Sequence, residues 1–303
     1  MDLLVDIRNQ YRRDRSVFVD GADMVDALTI LGACESDFDA IRTVSSRLPP
    51  DPTLPFRESK NGRFHIDTVN SKIRRLESQP FVLSAEEDFV RHDSGKKRTF
   101  AEIGNDLQHN SVLKALLLFK VFVVHGSVVN ERPGLDYKKS GWICTLFNLR
   151  TITHPGAVGE PALEGVHSDG VDHTMATFLG SQNMAPTAAK TFIHDMREQN
   201  SIRWHEADPE LVRGEAQHRN FLDTLMVFDH ERKHSVSPLE PLDPQKTATR
   251  DMLIFFTRKP TVSGHISHKH DSTVAHSTMP MAVDIPECLD MPGTGRSLAS
   301  ERV

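Results

Sequence analysis

The chain has 303 residues, 38% hydrophobic and 26% charged, the balance of an ordinary globular protein with a core of its own rather than a disordered one. A net charge of −6 and a pI near 6.2, with no basic block beyond Arg12-Arg13-Asp14-Arg15, exclude a nucleic-acid surface built from clustered Lys and Arg. The cysteines Cys34, Cys144 and Cys288 are odd in number, far apart and in no CxxC spacing, which predicts neither a disulfide framework nor a zinc site and points to a reducing, cytoplasmic setting.

In chain order, apolar residues recurring at Met24, Leu28 and Leu31, and Ser36 as an N-cap, predict two short helices within residues 22–47. Pro49-Pro50-Asp51-Pro52 ends them, and so short a leading segment reads as a helical cap on a larger domain. Asn61-Gly62 is a turn signal, followed by strand-like alternation over residues 63–67. Ser111 is placed to cap a helix that starts at Val112 and closes near Gly126. This most apolar stretch carries Lys114 and Lys120 and is too short to span a bilayer, so no membrane partner is expected. From Trp142 the pattern changes to short apolar runs at residues 142–149, 174–179, 190–193, 224–228 and 252–257, separated by turn residues. That density predicts a mainly β fold with flanking α-helices, best matched by a double-stranded β-helix, or jelly roll. The reading is one domain over residues 1–260, with a cap at 1–60 and a jelly-roll core at about 140–260. Residues 261–303 lose periodicity and are expected as a loose or disordered tail.

The centre of the chain carries its chemistry. In Glu164-Gly165-Val166-His167-Ser168-Asp169-Gly170, a histidine and a carboxylate two residues apart on an extended strand share a face and can reach one metal. Such pairs arise by chance at this composition, and His65 with Asp67 is a second. Only the first has a useful sequel. His234 supplies a third ligand, with His230 a rival, and Arg250 heads the apolar run 250–256, where a buried anionic partner would explain it; Arg258 is a fallback. Two histidines and one carboxylate that leave other positions open form the non-haem Fe(II) oxygenase arrangement. The later histidines His265, His268, His270 and His276 lack acidic or cysteine companions and read as solvated.

These residues resemble the 2-oxoglutarate and Fe(II)-dependent dioxygenases, in particular the branch with bacterial L-isoleucine 4-hydroxylase and related free amino acid hydroxylases. The likeness rests on the 164–170 box, on Leu222 to Asp229 followed by His234-Ser235-Val236-Ser237-Pro238, and on Thr249-Arg250-Asp251-Met252-Leu253. It implies iron held by His167, Asp169 and His234, with 2-oxoglutarate held at Arg250. O₂ and a small-molecule substrate, a free L-amino acid, complete the reaction, which releases succinate and CO₂. By its place in the pattern, Asn183 is the candidate for substrate contact, with Arg63 and Arg150 behind it. The branch follows its first box with asparagine-x-glycine-glycine, whereas Asn183-Met184-Ala185-Pro186 keeps the asparagine and loses the glycines. A larger natural-product intermediate or a protein side chain is the alternative substrate. A jelly-roll binding protein without activity is a further alternative.

Overall fold

Alternation along four neighbouring strands builds the molecule. The computed structural model describes residues 1–84 and 93–287. Its helices are α1 (Asp2–Asp14), α2 (Gly21–Ile30), α3 (Glu35–Ile41), α4 (Asn105–Gln108) and α5 (Ser111–Val124). Its strands are β1 (Ser16–Val19), β2 (Arg57–Asp67), β3 (Lys72–Leu76), β4 (Ala101–Glu102), β5 (Trp142–Thr153) and β6 (His173–Gln182), then β7 (Thr191–His194), β8 (Val212–Ala216), β9 (Thr224–Phe228), β10 (Lys233–Val236), β11 (Ala248–Arg258) and β12 (Ala282–Asp284). The major sheet runs β1-β9-β6-β11-β5-β2-β3-β12, with β4 beside β2, and the minor sheet runs β10-β7-β8. Every pairing is antiparallel except β2 with β4. Two facing antiparallel sheets with helices outside one of them make a jelly roll.

Residues opposite one another in antiparallel strands share a face, so the register sorts the side chains. One row joins Phe147, Ile254, Ala176 and Leu225, and the next joins Thr145, Phe256, Thr174 and Val227. Both face the minor sheet, whose Ile193 and Ala216 pack on Leu225 and Val227. The alternate residues Cys144, Leu146, Met175, Met226, Leu253 and Phe255 face the other way and form the main core with α5. This explains why α5 is apolar on nearly all sides: it lies between the sheet and the N-terminal helices. Its one fully buried lysine is satisfied by the sheet, since the Lys120 ammonium donates to the carbonyls of Phe255 at 2.5 Å and His173 at 3.1 Å. Burial pushes it down to about 8.

Several expectations change. Asn110, not Ser111, caps α5, accepting from Val112 N–H at 2.9 Å, while the Ser111 hydroxyl accepts from Cys34 N–H at 2.8 Å. Asn61-Gly62 is not a turn but the middle of β2, where a side chain at Gly62 would meet Ile103 Cδ1 at 2.7 Å. The first 60 residues are more than a cap: α1 precedes the expected helices, and β1 joins the edge of the major sheet against β9. The tail is corrected as well. Residues 261–287 belong to the fold, because β12 pairs with β3, the buried Asp271 carboxylate takes Arg258 in a two-bonded fork at 3.0 Å and Arg63 at 3.2 Å, and His276 lies 2.7 Å from Glu102. Met281, Val283 and Ile285 pack against the main core, but much of the hold comes from ion pairs, which hydrophobic periodicity cannot reveal. Residues 288–303, with Cys288, lie outside the described residues. No helix among the described residues is long and apolar enough to cross a membrane.

Candidate active site

Between the two sheets lies a cavity of about 130 Å³. His167, Asp169 and His234 line it and bring one ligand atom each within 4.8 Å of one another, the one such group among the described residues. The local structure is not the extended strand expected at 167–169. His167 makes a single two-way backbone bridge with His234, at 3.0 and 2.9 Å, and Asp169 sits in the loop that follows. Gly165 makes the approach possible: its φ is +77°, and a Cβ there would stand 2.3 Å from the Ile202 carbonyl oxygen.

The hydrogen bonds around these side chains suit metal binding. His167 Nδ1 faces the Gly165 carbonyl at 2.9 Å, which can only accept, so Nδ1 carries the proton and Nε2 points into the cluster. His167 Nε2 lies 3.4 Å from Asp169 Oδ1, and His234 Nε2 lies 3.5 Å from Asp169 Oδ2. Thr174 Oγ1 donates to Asp169 Oδ2 at 2.8 Å. Burial opposes charge at each group, but the outcome differs. Asp169 is held low, to about 2, by the two imidazoles and the Thr174 hydroxyl. His167 is pushed up to about 10 because Glu164, 3.2 Å from Nε2, joins Asp169 in favouring the cation. His234 is left low, near 4. Carboxylates gathered on buried imidazoles supply the charge that a divalent cation would neutralise.

At the other end of the cavity, Arg250 projects from β11. It is 5% exposed, its Nε has no partner, and no carboxylate pairs with it among the described residues. Burial alone pulls the guanidinium down to about 10. Its neighbour is His218, whose Nε2 donates to Ala176 O at 3.1 Å, which leaves the Nδ1 lone pair facing Arg250 Nη2 at 3.5 Å. Burial and the Arg250 charge push His218 down to about 3, so it stays neutral.

The remaining wall is mixed. Phe147 and Phe256 from the sheet meet Phe81 and Phe100 from the β3–β4 connection in an aromatic cluster, with centroid separations from 5.0 to 6.4 Å. Arg98, Arg57 and Glu164 add charge to it. Arg57 is anchored through Nε to Asp51 at 2.9 Å, and Arg98 stands 3.8 Å from Asp93.

Other residues suggested by the sequence lie elsewhere. Asn183 does not line the cavity. It adopts φ +52° at the end of β6 and clasps the following turn, its amide donating to the carbonyls of Asp243 at 2.9 Å and Lys246 at 3.0 Å and its oxygen accepting from Asp243 N–H at 2.8 Å. Arg63 and Arg258 are taken by Asp271, and Arg150 by Asp251 at 2.7 and 2.8 Å. His230, the His65–Asp67 pair and the later histidines belong to no metal-binding group among the described residues. His218 and Asp229, the latter hydrogen-bonded to the Asp169 backbone, were not foreseen, since nothing in sequence spacing marks a contact between residues 32 or 60 positions apart.

A jelly roll carrying two histidines and one aspartate on one side of an open cavity defines a non-haem Fe(II) oxygenase scaffold. The family model for the 2OG-Fe dioxygenases matches residues 42–256, and the chain belongs to that family. Its cofactor is Fe(II) and its co-substrate is 2-oxoglutarate. The chain is 45% identical over 285 residues to the bifunctional enzyme flvA of Aspergillus flavus; the match takes in 94% of this chain but 35% of that protein, so the chain spans about a third of the relative's length. It is similar to the selenomethionine-labelled Fe(II)/α-ketoglutarate-dependent dioxygenase TqaL, at 46% identity and a TM-score of 0.81, with 94% of this chain and 96% of that one covered. IDO from Bacillus thuringiensis is 14% identical with a TM-score of 0.61, covering 84% of this chain and 95% of that one; this is likeness of fold alone, and it does not place the chain in the isoleucine hydroxylase branch.

Proposed function

We propose that His167, Asp169 and His234 hold the iron, that Arg250 receives the far carboxylate of 2-oxoglutarate, and that the chain oxidises an aliphatic C–H bond of a compact small-molecule intermediate in a biosynthetic sequence. One observation carries the assignment. A buried guanidinium with no acidic partner among the described residues shares one cavity with the His-Asp-His cluster. A planar fork suits a carboxylate, and a dianion that chelates iron at one end satisfies both ends of the site.

With 2-oxoglutarate and O₂, bound iron supplies the oxidation of a C–H bond and the release of succinate and CO₂. The chain's own residues do the rest. His167 and His234 offer imidazole nitrogens, His167 in a tautomer fixed by Gly165, and Asp169 offers a carboxylate oriented by Thr174. His218 stays neutral and directs Arg250 without competing for the anion. The aromatic cluster excludes water and orients the substrate.

The Aspergillus flavus relative joins two activities in one polypeptide, which suits consecutive steps of a biosynthesis and favours a pathway intermediate as the substrate. A free aliphatic or cyclic L-amino acid is the second reading. It is favoured by the opposite charges of Glu164 and of Arg98 and Arg57 around an apolar wall, which fit a small zwitterion. The test is succinate formation by anaerobically Fe(II)-loaded protein given 2-oxoglutarate, O₂ and a panel of L-amino acids, their N-acylated and carboxyl-esterified derivatives, and larger amino-acid-derived intermediates, beside His167→Ala. Substrate-dependent succinate in wild type alone supports the assignment, and the derivative that stimulates most names the substrate. Equal background in both proteins, with no iron retained, overturns it.

A further inference from the structure

The aspartate in the cluster is held by a second aspartate. Asp229, at the end of β9, is fully buried and lies 60 positions along the chain from Asp169. The Asp169 backbone N–H donates to both its oxygens, at 2.8 Å to Oδ1 and 2.9 Å to Oδ2, and the Val171 N–H donates to Oδ2 at 3.3 Å. Arg132 Nη2 reaches Oδ2 at 3.4 Å, and the backbone N–H of Asp229 returns a bond to the Asp172 carbonyl at 3.0 Å. Asp172 is tied on in turn, its carboxylate accepting from the Tyr137 hydroxyl and from Lys259 N–H at 2.9 Å.

No strand ladder does this work. Residues 168–172 belong to no strand, Gly170 in their middle has φ +73°, and the backbone-to-backbone bonds lie at the two ends, at His167 and at Asp172, whose N–H donates to the Thr257 carbonyl at 3.0 Å, leaving Asp169 between them. The place of the Asp169 carboxylate relative to the two imidazoles therefore depends on side-chain acceptors for its backbone, and Asp229 supplies both oxygens to it.

We infer that Asp229 is a positioning residue of the iron site: it touches neither metal nor substrate, but its carboxylate sets the backbone from which Asp169 reaches the metal. This rests on the reading of Asp169 as an iron ligand. An asparagine of the same shape would not serve. It offers one acceptor oxygen, and its amide would turn a donor towards the N–H of Asp169 or Val171.

The test is Asp229→Asn, titrated anaerobically with Fe(II) and then 2-oxoglutarate while the visible charge-transfer absorption of the chelate is followed, beside wild type and His167→Ala. Iron affinity should fall about 10- to 100-fold, the usual effect of losing an outer partner of a ligand, with a shifted or weakened absorption band. Wild-type affinity and an unchanged band would overturn the inference. A chelate that forms equally well in His167→Ala would instead remove the iron-site reading beneath it. A second measurement needs no variant: in metal-free wild type the Asp169 and Val171 amides should be protected from hydrogen exchange, and exchange at the rate of exposed amides would overturn the clamp even if Asp229→Asn fails to fold.

Discussion

Replacing Arg250 by methionine should move two measurements in opposite directions. The guanidinium is buried without an acidic partner among the described residues, and burial pulls it down to about 10, a penalty on the charged form of roughly 3 kcal/mol at neutral pH. Methionine removes that penalty and fills much of the same volume, at the loss of the long contact with His218, worth on the order of 1 kcal/mol. Without 2-oxoglutarate the variant should therefore be more stable than wild type by about 2 kcal/mol, a rise in melting temperature of roughly 4 °C for a chain of this size. With 2-oxoglutarate the order reverses. Wild type should gain about 2.7 kcal/mol at a hundredfold excess of ligand over Kd. The variant should gain almost nothing, because removing one partner of a buried ion pair costs about 3 to 5 kcal/mol, a loss of affinity of at least about a hundredfold. Thermal melts of Fe(II)-free and Mn(II)-loaded protein, with and without 2-oxoglutarate, would read both effects. A variant less stable on its own that still gains as much from 2-oxoglutarate would refute the assignment of Arg250.

Asn183→Ala should lower stability by roughly 1 to 2 kcal/mol, since three hydrogen bonds and a left-handed backbone are lost together, while kcat/KM stays within about twofold of wild type; a collapse of activity in the folded variant would restore a role in the site. Glu164→Gln should raise KM for an amine-bearing substrate by about tenfold and spare substrate-free 2-oxoglutarate turnover, so an unchanged KM would place the substrate's cation elsewhere. Burial would raise Asp271, but Arg258 and Arg63 outweigh it and hold it at about 2. The resulting contribution, on the order of 2 kcal/mol, is fully present above about pH 4 and is lost as pH falls through 2. The stability gap between wild type and Asp271→Asn, from urea titrations, should narrow over that window, and a constant gap would show that Asp271 does not anchor the C-terminal segment through its charge.

What could be read from the sequence was what local periodicity encodes. The run 224–228 is β9 with those bounds, and β5, β6 and β11 begin or end a few residues from their apolar runs because polar residues such as Thr151 and Arg250 continue the ladders. The structure brings His167, Asp169, His234 and Arg250 into one cavity, although the first pair lies on a loop rather than a strand. Asn61-Gly62 misled because the same dipeptide serves a turn or a strand that must pass close to Ile103, and only the tertiary neighbour decides. Asn183 misled for a related reason: its position in the pattern matched, but its side chain is used up by the turn it clasps. His218, Asp229 and the Asp271 anchor depend on contacts across 32 to 208 positions between polar residues, and no single-chain pattern records them.

The two halves of the cavity differ in how freely they can change. On β11, Arg250, Met252, Ile254 and Phe256 face the cavity while Leu253 and Phe255 face α5, so one inserted residue would exchange lining for core and destroy both. Phe81, Leu83, Arg98 and Phe100 come from the β3–β4 connection, outside the alternation of the main sheet, so a change at any of them does not turn a core face towards the cavity. Variation of substrate can accumulate there without exchanging the two faces of the sheet, and a library confined to those four positions should alter which molecule is accepted while the iron and 2-oxoglutarate end is inherited intact.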